Sequence, residues 1–168
     1  MRNALVLVVA LALAACGKSD SKKDEPGKGG GGGGGGGAAK TATVKIKLGL
    51  QADVMAGATA GDSVVGGEGA TITLPNGVIV SIDPAGENDP KTADDAKTEA
   101  ADYSPQNLKA ETLPDGWLVT YDNTGSMGAN YFVVARRTIG GKDYKCSTTV
   151  SNPGQRDAGV ATCKALRQ

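Results

Sequence analysis

The sequence predicts an α+β fold: an antiparallel sheet packed with helices, α/β/α sandwich-like, behind a signal peptide and a disordered Gly-rich tether. Three observations predict it. Apolar runs bounded by Asn-Gly, Asp-Gly and Gly-Gly recur from residue 41 onward, as in a series of hairpins. Two stretches with cap signals, near Asp89 and at Asn152-Pro153, interrupt and close that series. All the aromatic residues, Tyr103, Trp117, Tyr121, Tyr131, Phe132 and Tyr144, lie in the second half. Aromatic side chains contribute large buried areas, so the main core is expected there.

The chain opens with Met1-Arg2-Asn3 and an unbroken apolar run from Ala4 to Ala15. A basic start followed by about a dozen apolar residues is the signal-peptide pattern, and it falls short of the roughly 20 residues that span a bilayer. A buried core helix would have the same apolar run but no reason for the charge-then-apolar order. Leu13-Ala14-Ala15-Cys16 resembles the lipobox of bacterial lipoproteins. That resemblance implies a diacylglycerol on the Cys16 thiol, cleavage just before it, and often a further acyl chain on the new amine. Residues 1–15 are then the signal peptide, and Cys16 is the lipidation site and the membrane contact. Each buried methylene stabilises attachment by about 0.8 kcal/mol, so two or three acyl chains anchor the protein firmly. In Gram-negative lipoproteins an Asp after the cysteine favours inner-membrane retention. Gly17 stands there instead, which favours the outer membrane.

Residues 16–40 are expected to form a tether. A polar stretch leads into unbroken glycine from Gly29 to Gly37, with maximal backbone freedom and nothing to bury. Such a chain has an r.m.s. span of roughly 25–30 Å. It is no phosphate cradle, because no strand precedes it and no Gly-Lys-Ser/Thr follows.

A single domain is expected over 41–168, with 41–70 loosely held. Thr41 to Leu50 alternates, with Val44, Ile46, Leu48 and Leu50 on one face and Lys45 and Lys47 on the other, which predicts one strand. Residues 51–70 show little period and are expected to be loop or weak strand. Thr71 to Leu74, Pro75-Asn76-Gly77 and Val78 to Ile82 read as a hairpin, since Asn-Gly supplies the positive φ of a tight turn. A helix is predicted next, capped by Asp89 with Pro90 at its first position, or one turn later by Thr92 with Asp95. Ala93, Ala96, Ala100 and Tyr103 share its inner face, and Ser104-Pro105 ends it. Strands are then expected over 108–113, 117–121, 130–139 and 142–150, with a loop over 123–128. Trp117 to Val119 and Tyr131 to Val134 are apolar on both faces, so layers should cover both sides of the sheet. Asn152 and Pro153 open a last helix reaching Leu166, with Val160, Cys163 and Leu166 inward. This order over 70–168 is similar to the PsbP-like fold, in which an antiparallel sheet lies between helices. The resemblance implies a fold and no function.

The two remaining cysteines, Cys146 and Cys163, both fall on inward faces. In an oxidising exported compartment an even pair favours a disulfide, worth about 3 kcal/mol for a loop of this length. A redox pair is the competing reading, but nothing here has CxxC geometry.

The chain has 18 basic and 18 acidic residues and no histidine. Neutrality argues against a nucleic-acid partner. Lack of histidine removes the commonest general base, the usual metal ligand and every Ser-His or Cys-His pair. Four basic against ten acidic residues over 41–103, and eight against five over 104–168, read as two solvated surfaces that attract weakly. Gly61-Asp62-Ser63 echoes the block of Ser-His hydrolases, yet no histidine exists to activate the serine. Ser19 and Lys22 have Ser-x-x-Lys spacing inside a segment that cannot hold them together. Asp83, Glu87, Asn88 and Asp89 crowd one loop with oxygen ligands but lack Ca²⁺-loop alternation, so a solvated loop is expected and the metal reading is weak. Asp94 and Asp95 point apart on a helix. Arg136 and Arg137 project to opposite faces of a strand, one toward an acidic partner and the other buried against a carboxylate. No cofactor and no enzymatic activity are expected. The leading expectation is a lipid-anchored envelope domain that binds another envelope protein or a ligand. A His-independent enzyme using carboxylates such as Asp83 or Asp122, and a structural spacer, are the alternatives.

Overall fold

A computed structural model describes residues 40–64, 66–126 and 128–168, and alternating burial along the strands organises these described residues into two sheets and two helices. The chain runs β1 (Thr41–Ile46), β2 (Leu50–Met55), β3 (Thr59–Asp62), β4 (Ala70–Thr73), β5 (Ile79–Pro84), α1 (Ala93–Ala101), β6 (Gln106–Leu113), β7 (Gly116–Gly125), β8 (Gly128–Ile139), β9 (Lys142–Val150), α2 (Pro153–Lys164) and β10 (Leu166–Arg167). Strands β3 to β9 form a seven-stranded sheet in the order β3-β4-β5-β9-β8-β7-β6, antiparallel throughout. A second sheet has the order β1-β2-β10. The fold is therefore α+β and rich in sheet.

The large sheet is covered unequally on its two faces. On one, Leu118, Val133, Ala135, Tyr144, Cys146, Val80 and Ile82 join Ile46, Leu50, Ala52 and Val54 of the small sheet and Cys163 of α2 in the main core. On the other, Trp117, Val119 and Tyr121 pack under Ala96 and Ala100 of α1. Trp117 to Val119 are buried without interruption because consecutive residues of β7 serve different layers. The expectation of an antiparallel sheet packed with helices holds at the level of a sheet-rich α+β fold, and the small sheet contributes to the same main core as α2.

Residues 41–50 depart from the single strand predicted. Lys47 to Gly49 form a turn, with Gly49 at φ 75° and its N–H donating to the Ile46 carbonyl, so the chain doubles back at Leu50. Residues 51–70, expected as loop or weak strand, carry the rest of β2 and all of β3. Leu50, Ala52 and Val54 are buried and alternate with Gln51, Asp53 and Met55. Ala52 fills its position completely but adds too little hydrophobicity to mark the period.

Helix α1 takes the later of its two possible starts. The Thr92 hydroxyl accepts from Asp95 N–H at 3.1 Å while the Asp95 carboxylate accepts from Thr92 N–H at 2.9 Å, a reciprocal capping box. Asp89 is engaged elsewhere, accepting from Gly86 N–H at 2.7 Å and from the Lys145 ammonium at 2.7 Å. The helix buries only two alanines, so polar ties supplement it. Trp117 Nε1 donates to the Lys91 carbonyl at 3.1 Å, and Arg136 Nη1 to that of Pro90 at 3.2 Å.

The loop predicted over 123–128 is a tight hairpin instead, with pairing continuing to Gly125 and Gly128. At the opposite end of β7, Gly116 lies against the neighbouring strand so closely that a Cβ there would sit 1.9 Å from the Arg136 carbonyl oxygen. Helix α2 opens as predicted, with Asn152 accepting from Gln155 N–H and Pro153 at its first position. It stops at Lys164, two residues before the predicted end. Leu166 and Arg167 then pair with Ala52 and Gln51 of β2. The hairpin between β4 and β5 closes as predicted, with Leu74 N–H donating to the Val78 carbonyl at 2.8 Å.

Candidate binding cleft

Because α1 is short and covers mainly β6 and β7, it leaves a cleft of about 230 Å³ over β8 and β9. Register builds its aromatic wall. Tyr121 pairs with Phe132 across β7 and β8, and both project to the α1 face. Their rings lie 4.5 Å apart at 9° between planes, which is face-to-face stacking. Tyr103, just beyond α1, tilts over both, 6.4 Å from Tyr121 and 6.0 Å from Phe132, and is 50% exposed. Ser147 and Thr149 of β9 line the far side, with Lys145 at one end and Glu99 of α1 at the rim. Burial, then the neighbouring Tyr103 and Glu99, push the Tyr121 phenol above its ordinary value, so it is a neutral hydroxyl at physiological pH.

The other candidate residues are scattered. Asp83 sits on β5, 3.4 Å from the Ser63 hydroxyl, while Glu87 lies exposed in the following loop and Asp89 is paired with Lys145. Among the described residues, no group of three or more His, Cys, Asp or Glu side chains gathers where it could hold a metal ion. Asp122 accepts from Asn107 Nδ2 with both oxygens, at 3.1 and 3.0 Å. Asp83 alternates with the core residues Val80 and Ile82, and Asp122 with the cleft residue Tyr121, so the two carboxylates face opposite sides of the sheet. Their strands are three positions apart, roughly 14 Å at ordinary strand spacing. They cannot act on one bond. Asp62, of the Gly-Asp-Ser sequence, pairs with Lys47 at 2.9 Å. Asp94 pairs with Lys97, and Asp95 belongs to the cap. Cys16, Ser19 and Lys22 lie outside the described residues.

Arg136 and Arg137 occupy opposite faces. Arg136 donates to Asp143 at 2.7 Å as well as to Pro90. Arg137, 8% exposed, makes a two-pronged pair with Asp115 at 2.6 and 2.8 Å. It also donates to the carbonyls of Cys163, Lys164 and Leu166. Cys146 and Cys163 are joined by a disulfide, Cα to Cα 5.7 Å, in the main core.

Asp89 makes a testable contribution beside the cleft. Burial disfavours its ionised form, but the Lys145 hydrogen bond, the Gly86 N–H and the charges of Lys145 and Arg136 outweigh this and lower its pKa. A carboxylate with a folded pKa below its unfolded value stabilises the protein above about pH 4, and the gain vanishes as pH falls through the folded value. Asp89→Asn should therefore cost under about 1 kcal/mol at neutral pH, as a partly exposed pair does. It should also flatten the loss of stability between about pH 5 and 2. Urea denaturation at stepped pH measures both, and parallel profiles for the two proteins would refute the linkage.

The sequence places aromatics in the core and gives no sign of the cleft. Helical spacing puts Tyr103 on the inner face of α1, whereas α1 ends at Ala101. The recoverable signal was the shared parity of Trp117, Val119 and Tyr121 on β7. No helix among the described residues is long and apolar enough to cross a membrane.

No protein-family model matches the chain, and no curated protein matches it. Among solved structures, it is similar to the solution structure of cyanobacterial PsbP (CyanoP) from Synechocystis sp. PCC 6803. The identity is 14% and the TM-score 0.47, with 81% of this chain and 96% of that one covered.

Proposed function

We propose that this chain is a lipid-anchored cell-envelope protein whose domain from residue 41 is a non-enzymatic binding or accessory module. The observation that carries the reading is the order of the sequence: an apolar leader ending in Leu13-Ala14-Ala15-Cys16, a polar and glycine-only stretch, then the domain. Lipid on Cys16 holds the mature protein to a membrane, and residues 16–40 give the domain reach. Gly17 after the cysteine favours the outer membrane. The domain offers an aromatic cleft with hydroxyl groups on its far side, the mixture of apolar wall and few polar groups that suits binding. A carboxylate enzyme built on Asp83 and Asp122 is disfavoured by their placement on opposite faces.

Cys16→Ser tests the anchor. Wild-type protein from envelopes should take up labelled fatty acid and show, by intact mass, loss of residues 1–15 with added acyl mass. The variant should remain unprocessed by the lipoprotein route and carry no label. A mature wild-type protein without acyl mass would end the proposal. Crosslinking and affinity capture from envelope extracts test the module, and specific retention of an envelope component is the expected result. Turnover of a small substrate instead would favour the enzyme, and capture of nothing at all a structural spacer.

A further inference from the structure

We infer that the cleft between α1 and strands β8 and β9 is a binding subsite for one neutral sugar ring, with Phe132 as the platform and Ser147 and Thr149 as hydrogen-bonding partners. This deepens the binding reading and rests on it, but it does not need the anchor.

Ring geometry supplies the platform. With centroids 4.5 Å apart and planes at 9°, Tyr121 covers one face of Phe132. Strand β8 lies between β7 and β9, so the other face of Phe132 looks away from Tyr121 toward β9. An apolar ring face looking across a strip of hydroxyls suits a pyranose, which carries C–H groups on its faces and hydroxyls around its edge. Serine and threonine hydroxyls both donate and accept, so they match sugar hydroxyls in either sense.

Charge and size narrow the class. Lys145 closes one end of the cleft but is neutralised by Asp89 at 2.7 Å, which removes the main attraction for an anion. The Glu99 carboxylate at the rim accepts hydrogen bonds and repels acidic ligands. About 230 Å³ is below the roughly 300–1,000 Å³ of sites for drug-sized molecules, which limits the cleft to about one ring.

Tyr103 bounds the cleft on the remaining side: its ring is half-exposed and lies 6.0 Å from that of Phe132, so a second aromatic surface stands beside the platform.

The test is NMR titration of the purified full-length chain, with or without acyl groups as it is isolated, in phosphocholine micelles, which present no sugar headgroup. The probes are maltotriose and the trimer of N-acetylglucosamine. At least one should shift the Phe132 ring and the Ser147 and Thr149 amides saturably, with a Kd in the millimolar range expected of a one-ring subsite, about −4 kcal/mol. Phe132→Leu, which keeps apolar volume, should weaken binding about tenfold. Thr149→Val should weaken it by a smaller factor, and Glu111→Gln, on the opposite face, should leave it unchanged. Absence of shifts at these residues with both sugars overturns the inference, as does equal binding by Phe132→Leu. If Phe132→Leu instead abolishes capture of an envelope protein while neither sugar binds, the sugar assignment fails and the binding module stands.

Discussion

Replacing Arg137 by methionine is expected to lower folding stability by about 3 kcal/mol, the lower end of the range for breaking a buried ion pair. The side chain is almost fully enclosed and ties three parts of the chain together. Its pair with Asp115 fixes the turn between β6 and β7, while its contacts to the Cys163, Lys164 and Leu166 carbonyls lie where α2 ends. A helix leaves its last carbonyls without intrahelical partners, and here a guanidinium supplies donors to three carbonyls around that end. Methionine matches much of the volume but satisfies none of them, and it strands the Asp115 carboxylate. Asp115 keeps some contact with solvent, which is why the lower end of the range applies. Arg137→Lys should recover only part of the loss, because one ammonium cannot make the two-pronged carboxylate contact and reach the carbonyls as well. Urea denaturation measures the cost, and hydrogen exchange at the amides of β2 facing β10 should quicken in the methionine variant. A loss below about 0.5 kcal/mol, ordinary for an exposed site, would show that the network contributes little.

The same region shows how much the sequence could reveal. Strand parity alone put Arg136 and Arg137 on opposite faces and foresaw a buried arginine against a carboxylate. It could not name Asp115, 22 residues away, or the helix end. The start of α2 was legible because its cap is local, Asn152 followed by Pro153. Its end was not. Leu166 completes the inward helical pattern equally well, and only its pairing with Ala52, more than a hundred residues earlier, makes it a strand. The turn at Gly49 is illegible in the sequence for a similar reason, since Leu48 and Leu50 continue the alternation that tertiary pairing breaks. In the cleft, the stack of Tyr121 on Phe132 depends on register, and register depends on a pairing that continues to Gly125 and Gly128. A six-residue loop over 123–128 left that register open.

Removing the disulfide is the second large effect expected. The bond closes a loop of sequence separation 17, and the chain-entropy model gives about 3 kcal/mol for that length. Cys146 lies on β9, paired with Ile82 and Ala135, and Cys163 lies in the last turn of α2, so the cross-link fastens the helix end to the middle of the large sheet. The double variant Cys146→Ala/Cys163→Ala should show this loss, plus a smaller amount for the sulfur atoms removed from a fully buried site. Arg137 grips the same helix end, yet the two constraints act on different states. The cross-link works mainly by restricting the unfolded chain, whereas the Arg137 contacts exist only in the folded one. Combining the cysteine pair with Arg137→Met should therefore give a loss close to the sum of the two, within about 0.5 kcal/mol. A combined loss well short of the sum would mean that the folded protein without its cross-link already lets residues 163–166 fray, so that Arg137 has less to hold. Hydrogen exchange at Ala165 and Leu166 in the cysteine-free protein separates the cases, because additivity requires their protection to persist.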